Sequence, residues 1–266
     1  MKQPIPATNW PETWRSSYQF DQNEAFGNIC NRGYAYAYGV RRQKTLDLLT
    51  SALSPPASIL DIAAAQGNFS LCLAEMGFNV TWNDLRSELI GYVQQKHEHG
   101  AISYRSGNAF ELDFPSLFDG VLITEVIEHV AHPDRFLEMT ARLVKQGGYI
   151  VMTTPNGGYL RNTLPRFSDC PDPSIFEQEQ FRPDADGHLF LLYEDEIRRF
   201  ASAAGLVVDE ILYFTNLLTN GHLKTSTVLT IVQKSFVDWV ESVSQKLPSR
   251  LARRLLLQVG VRFYKP

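Results

Sequence analysis

Ala57-Ser58-Ile59-Leu60-Asp61-Ile62-Ala63-Ala64-Ala65-Gln66-Gly67 is the stretch that decides the fold. A short apolar run (Ile59, Leu60, Ile62) carries one acid, Asp61, and passes into tiny side chains and a glycine before a helix-patterned segment begins. That order predicts a buried strand, a tight turn in which backbone approaches a ligand, and a helix N-terminus. Asp84 follows Gly67 by seventeen residues and closes a second strand-like run, Phe78-Asn79-Val80-Thr81-Trp82-Asn83. An acid at the end of the second strand is how doubly wound sheets hold the two hydroxyls of a ribose. The expected ligand is an adenosine compound.

Working outward, strand and helix patterns alternate, which predicts an α/β fold with a doubly wound, mostly parallel sheet. Helical spacing covers Arg41 to Leu53 and stops at Pro55-Pro56. Further helices are expected over 67–76, 86–98 and 133–144, and a third strand over 102–106. Residues 1–40 are rich in aromatics (Trp10, Trp14, Tyr18, Phe20, Phe26, Tyr34, Tyr36, Tyr38) and form an N-terminal cap segment; the alternating tyrosines also allow a short strand. From Pro165 to Asp186 four prolines sit among acids, the pattern of an ordered loop or lid, and a lid insertion is expected over about 157–190. A helix is expected over 194–204 and strands over 206–214 and 226–234, which end the main domain (41–234). The remainder, 235–266, reads as a basic helical extension with amphipathic helices over 236–247 and 249–258.

The chain has 266 residues, 44% hydrophobic and 20% charged, enough for a full core, and a net charge of −4. That balance argues against a general grip on nucleic acid, which needs a basic surface. Cys30, Cys72 and Cys170 show no paired spacing, the usage of a reducing compartment, and the first residues lack the apolar run of a signal peptide. A cytoplasmic location is expected.

The motifs together resemble the class I S-adenosylmethionine (SAM) dependent methyltransferases, in the branch of the ubiquinone-biosynthesis O-methyltransferases. The family's first motif, acid-x-Gly-x-Gly-x-Gly, has Asp61, Ala63, Ala65 and Gly67 in its places. Gly107-Asn108-Ala109 matches the segment that flanks the adenine, Phe118 to Val130 the fourth strand and its turn, and Gly147 to Asn156 the fifth strand. The resemblance spans residues 45–160 and implies a seven-stranded Rossmann-like sheet whose last strand is antiparallel. It implies SAM as cofactor, held by Asp61, Ala63, Ala65, Gly67, Asp84, Leu85, Asn108, Ala109 and Glu125. Because alanine disfavours positive φ, Ala63 and Ala65 are expected at negative φ, and Asp84 is expected to be an exposed acid with no structural duty.

Glu125-Val126-Ile127-Glu128-His129 lies beside the expected methyl group. His129 and His132 are the candidate general bases, since an unperturbed histidine titrates near neutrality. Glu125, Glu128 and His129 share a face of any helix that begins near Glu125 and form an alternative set for a divalent cation. Relatives of the resembling family carry this Glu-x-x-Glu-His pattern as a metal site, with a second histidine downstream where this chain has His188. The expectation is metal-independent transfer of a methyl group to an oxygen of a small or medium-sized acceptor, in a pocket built from residues 1–40, 155–190 and 214–225. Trp10, Trp14, Tyr34, Tyr36, Phe167, Phe176 and Phe181 suggest a flat or partly apolar acceptor. The alternatives are an inactive SAM-fold scaffold and a metal-dependent RNA 2′-O-methyltransferase. Lys246, Arg250, Arg253, Arg254, Arg262 and Lys265 make the C-terminus basic, so it either docks on its own domain or touches an anionic membrane.

Overall fold

The computed structural model describes residues 1–27, 31–180, 187–220 and 225–266. In chain order the elements are α1 (Glu12–Glu24), α2 (Arg32–Thr50), β1 (Ser58–Ile62), α3 (Asn68–Glu75), β2 (Asn79–Asp84), α4 (Leu89–Lys96), β3 (Ala101–Ser106), β4 (Phe118–Thr124), α5 (Pro133–Arg142) and β5 (Val144–Pro155). α6 (Glu194–Ala203), β6 (Val207–Asn216), α7 (Ser226–Ile231), α8 (Lys234–Ser244), α9 (Ser249–Leu255) and β7 (Leu256–Tyr264) complete it. The sheet runs β3-β2-β1-β4-β5-β7-β6. β7 is antiparallel to both neighbours, as the family resemblance implies, and the other pairings are parallel.

The continuous apolar runs of β1 and β4 are buried because helices cover both faces. One face packs Leu60, Val121, Ile123, Ile150 and Met152 against α5 and α6. The other packs Ile59, Val80, Leu122 and Val151 against α2 and α3. Among the described residues no helix is long and apolar enough to cross a membrane.

Three sequence expectations give way. The tyrosines at 34, 36 and 38 lie on the helix α2, whose cap is Asn31 accepting from the Tyr34 N–H at 3.2 Å; its residue choice looks strand-like but its packing on β5, β6 and β7 is helical. Residues 226–234 are helical rather than a strand. The last strand is instead Leu256–Tyr264, inside the segment read as a helical extension, and it fills the gap between β5 and β6. Leu255-Leu256-Leu257 continues the helical spacing of Leu247 and Leu251, so periodicity alone extends α9 too far. What makes the strand is non-local: Val259, Val261 and Phe263 alternate onto one face at 1% exposure or less, and β5 and β6 pair with its two edges.

Phe263→Ala should therefore behave as a core truncation and cost about 3–5 kcal/mol of stability. Urea unfolding checks this; a loss of less than about 1 kcal/mol would contradict a central β7.

Candidate active site

The loop after β1 is held in a left-handed path. Ala63 has φ 55°, Ala65 φ 47° and Gly67 φ 73°, so the expected negative φ at the two alanines is wrong. Such backbone costs an alanine on the order of 1–2 kcal/mol per residue. Hydrogen bonds from β2 hold it: the Ala64 N–H donates to the Asn83 carbonyl at 2.8 Å, the Ala65 N–H to Asp84 Oδ2 at 2.9 Å, and Trp82 Nε1 to the Ala65 carbonyl at 3.0 Å. At Gly67, which starts α3, an added Cβ would sit 2.8 Å from Val93 Cγ1. Glycine is needed there for both conformation and space.

This loop borders a cavity of about 880 Å³ at the C-terminal ends of β1, β2 and β4, the position at which α/β sheets bind ligands. Ala63, Ala65, Asp84, Leu85, Asn108, Ala109, Glu125, His129 and His132 all line it. Asp61 and Gly67 do not. Asp61 is 1% exposed; its Oδ2 accepts from the Ser70 hydroxyl at 2.6 Å and its Oδ1 has no partner, so it braces the start of α3. Burial pushes its carboxyl up to about 7.

Asp84 is 4% exposed and fully engaged, contrary to the expectation of an idle surface acid. Beyond Ala65, it accepts from the Arg86 N–H and from Arg86 Nε, both at 2.9 Å. A ribose would have to take the place of the Arg86 side chain, which is half exposed. The Asn108 side chain closes its own turn, donating to Glu111 at 2.8 Å and accepting from the Phe110 N–H.

A buried polar network, invisible in the sequence, clamps α1 across the loop. Lys96, with no exposure, donates to Asp21 Oδ2 at 2.6 Å, the Gln66 carbonyl at 2.8 Å and Asn68 Oδ1 at 2.6 Å. Asn68 in turn donates to Asp21 at 2.7 Å and Glu24 at 3.0 Å, and Glu24 also accepts from Gln66 and Tyr34. Glu24, Tyr38 and Arg41 thereby form the cavity's N-terminal wall. Residues 214–225 contribute nothing to the lining among the described residues. The expected acceptor aromatics do other work: Trp10 packs on Trp14, Tyr18 and Tyr92, and Phe167 and Phe176 pack on Phe190. Tyr34 bonds Glu24, and neither it nor Tyr36 lines the cavity. Phe181 lies outside the described residues.

The turn after β4 separates its two acids. Glu125 sits at φ 54° and is followed by a 3-10 turn, Ile127–His129, rather than an α-helix. Its Oε2 pairs with Arg41 at 2.9 Å and accepts from Gln258 at 3.1 Å. Glu128 turns the other way, wholly buried, with Oε2 accepting from Thr154 at 2.9 Å and Oε1 unpartnered. Burial and then the Glu125 charge hold the Glu128 carboxyl well above its ordinary value. Ligand atoms of Glu128, His129 and His188 lie within 4.8 Å of one another. Glu125, the fourth ligand of the alternative set, is not among them. Burial and the neighbouring His129 push the His188 pKa down, which favours the neutral ring that binds metals. His132 faces the 165–180 segment, with Nε2 2.8 Å from Glu177 Oε1, and the Ala131 N–H donates to Gln180 at 3.0 Å.

A family model described as a methyltransferase domain matches residues 34–211. The chain belongs to this methyltransferase family. The donor of the family is SAM, and the loop, the acid ending β2 and the cavity suit it. The ubiquinone biosynthesis O-methyltransferase of Dechloromonas aromatica (strain RCB) is 37% identical over 103 residues, covering 37% of this chain and 44% of that protein. The chain thus spans less than half the length of that curated relative. The N-methyltransferase NodS of Bradyrhizobium japonicum WM9, solved with S-adenosyl-L-homocysteine (SAH), aligns over 96% of this chain and 100% of its own at TM-score 0.57 and 14% identity. The [4+2]-cyclase SpnF aligns over 100% of this chain and 99% of its own at TM-score 0.56 and 14% identity. These two likenesses concern the fold, which alone does not fix the reaction of a methyltransferase relative.

Ala63→Gly and Ala65→Gly should each stabilise the chain by about 1 kcal/mol, because relief of the left-handed strain outweighs the added unfolded-state entropy; a fall in melting temperature in both would contradict the strain. Asp61 is raised in the folded state, so the native chain holds a proton that the unfolded chain releases as pH rises from the ordinary carboxylate range. Its contribution is present at low pH and lost progressively up to about pH 7. The stability of the Asp61→Asn variant should therefore fall less over this range than that of the parent, which urea titrations at several pH values will show.

Proposed function

We propose that this methyltransferase moves the methyl group of SAM to an oxygen of a small or medium-sized acceptor. The observation that carries the reading is that one cavity is lined both by the Ala63–Ala65 loop and Asp84 and by the rings of His129 and His132. The O-methyltransferase name of the relative supports oxygen as the target. In this reading Asp84 releases Arg86 and takes the ribose hydroxyls, Asn108 and Ala109 border the adenine, and the loop backbone meets the amino-acid end together with Glu24 and Arg41. SAM supplies an already activated methyl, so the chain's work is positioning and proton removal. The ring of His129 or His132 takes the acceptor's hydroxyl proton, and Glu177 holds the His132 ring in place. The lid over 165–180, tied down through Gln180, keeps water from the reacting atoms.

A second reading rests on one observation, the unpartnered buried Oε1 of Glu128 beside His129 and His188. Those three side chains suit a divalent cation, which would supply a positive charge to lower the acceptor hydroxyl's pKa. His129 would then be a ligand and His132 the base. The chain's net charge of −4 and acidic lid disfavour RNA as the acceptor in either case.

Calorimetry with SAM and SAH tests the first reading: both should bind, and a chain that binds neither is a scaffold. Asp84→Asn should weaken SAM by about tenfold to a hundredfold, the loss of one charge-assisted hydrogen bond, at some cost in stability because Asp84 also holds Ala65. Unchanged affinity would refute the ribose assignment. Acceptor pools screened by mass spectrometry for a methyl gain will identify the substrate. Under the first reading His132→Ala lowers turnover with SAM affinity kept, and activity survives a chelator. Activity lost to chelation, restored by Mg²⁺ or Mn²⁺ and abolished by Glu128→Ala would establish the second.

A further inference from the structure

α8 wears its apolar side outward. It buries Val237, Glu241 and Ser244, while Phe236, Trp239 and Val243 are 54%, 59% and 46% exposed. The Phe236 and Trp239 rings lie 5.7 Å apart, and Ile231, just ahead of the helix, is 83% exposed. α9 buries Ala252 and exposes Leu251 and Leu255 beside the i, i+4 row of Arg250 and Arg254. Leu160, also exposed, donates its N–H to the Arg254 carbonyl at 3.0 Å. A helix that only packs on its own domain turns its apolar stripe inward.

The charge of the same region is equally one-sided. Residues 226–266 carry seven basic and two acidic side chains in a chain of net charge −4. Lys234 pairs with Asp238 and Arg253 approaches Glu194. Among the described residues Lys246, Arg250 and Arg254 join no ion pair, and all three are exposed. Both helices lie at the end of the sheet where the cavity opens. Glu241 on α8 accepts from the N–H of Asn216, the last residue of β6, and α9 runs into β7 where Gln258 faces Pro155, the end of β5.

We propose that the outer faces of α8 and α9 form a docking surface for an anionic lipid bilayer. Tryptophan and phenylalanine suit the headgroup level, where the ring is buried and its edge stays wet, and unpaired arginines and lysines beside them meet lipid phosphates. A second copy of the chain is a poorer occupant, because a two-fold contact through this face would oppose arginines to arginines. Docking turns the ligand end of the sheet toward the bilayer.

Flotation of the full chain with neutral phosphatidylcholine vesicles, and with vesicles containing about one third phosphatidylglycerol, tests this. The chain should float with the anionic vesicles alone and be released as salt rises to about 1 M. Arg250→Glu combined with Arg254→Glu should cut the bound fraction about tenfold or more, and Trp239→Ser should reduce it without changing the melting temperature. Brominated acyl chains should quench tryptophan fluorescence in the parent but far less in Trp239→Phe, since Trp10 and Trp82 are buried and Trp14 is half-buried with its indole N–H donating to the Glu88 carbonyl. Absence of binding to anionic vesicles, or binding undiminished in both the arginine and Trp239 variants, would overturn the proposal. So would a concentration-dependent dimer that shields Trp239, which would assign this face to a second copy.

Discussion

The Lys96 ammonium is the contact on which the ligand end depends. It has no solvent exposure, and its three protons go to Asp21, Asn68 and the Gln66 carbonyl, that is, to α1, α3 and the loop between β1 and α3. Burial drives its pKa down and the Asp21 carboxylate works against that drive. A buried pair of this kind adds little net stability against an apolar substitute, but removal of one partner strands the other at a cost of about 3–5 kcal/mol. The network's value is geometric: it accepts only one placement of α1 over the loop and so shapes the cavity wall.

Strain is concentrated at the same end. The four non-glycine residues with positive φ among the described residues are Ala63, Ala65, Glu125 and Thr215. They follow β1, follow β4 or lie in the last turn of β6, all on the side where the parallel strands end. Two buried carboxylate oxygens without partners, on Glu125 and Glu128, lie there too. A chain selected only for stability would not gather left-handed alanines and orphaned acids in one place; such features persist where a ligand completes them.

The parallel core was legible because its cause is local. Strand residues buried on both sides must be apolar throughout, and Ile59 to Ile62 and Val121 to Ile123 are nearly so. The acid ending β2 was legible for the same reason, as a polar residue where the apolar run stops. The conformation of Ala63 and Ala65 was not, since hydrogen bonds from Asn83 and Asp84 decide it and residue type argues the other way. Lys96 and Asp21 are 75 residues apart and each fits a solvated helix face on its own. The last strand was misplaced because three successive leucines satisfy a helix and a buried strand alike. Arg41 gave no signal; its partner Glu125 is 84 positions away and is brought near only by the folded sheet.

The place of β7 has a consequence for synthesis. It lies between β5 and β6, yet it leaves the ribosome some forty residues after β6 ends. Until then β6 has no strand to pair with, since its partner in the sheet is β7 alone. β5 meanwhile presents an unpaired edge built from Ile150, Val151 and Met152. The nascent chain thus carries a five-stranded sheet with an open apolar flank, and a loose sixth strand, for several seconds at ordinary elongation rates. Open strand edges template association with other chains. The exposed interval belongs to the order in which residues are made, and chaperones that shield nascent strands would act in it.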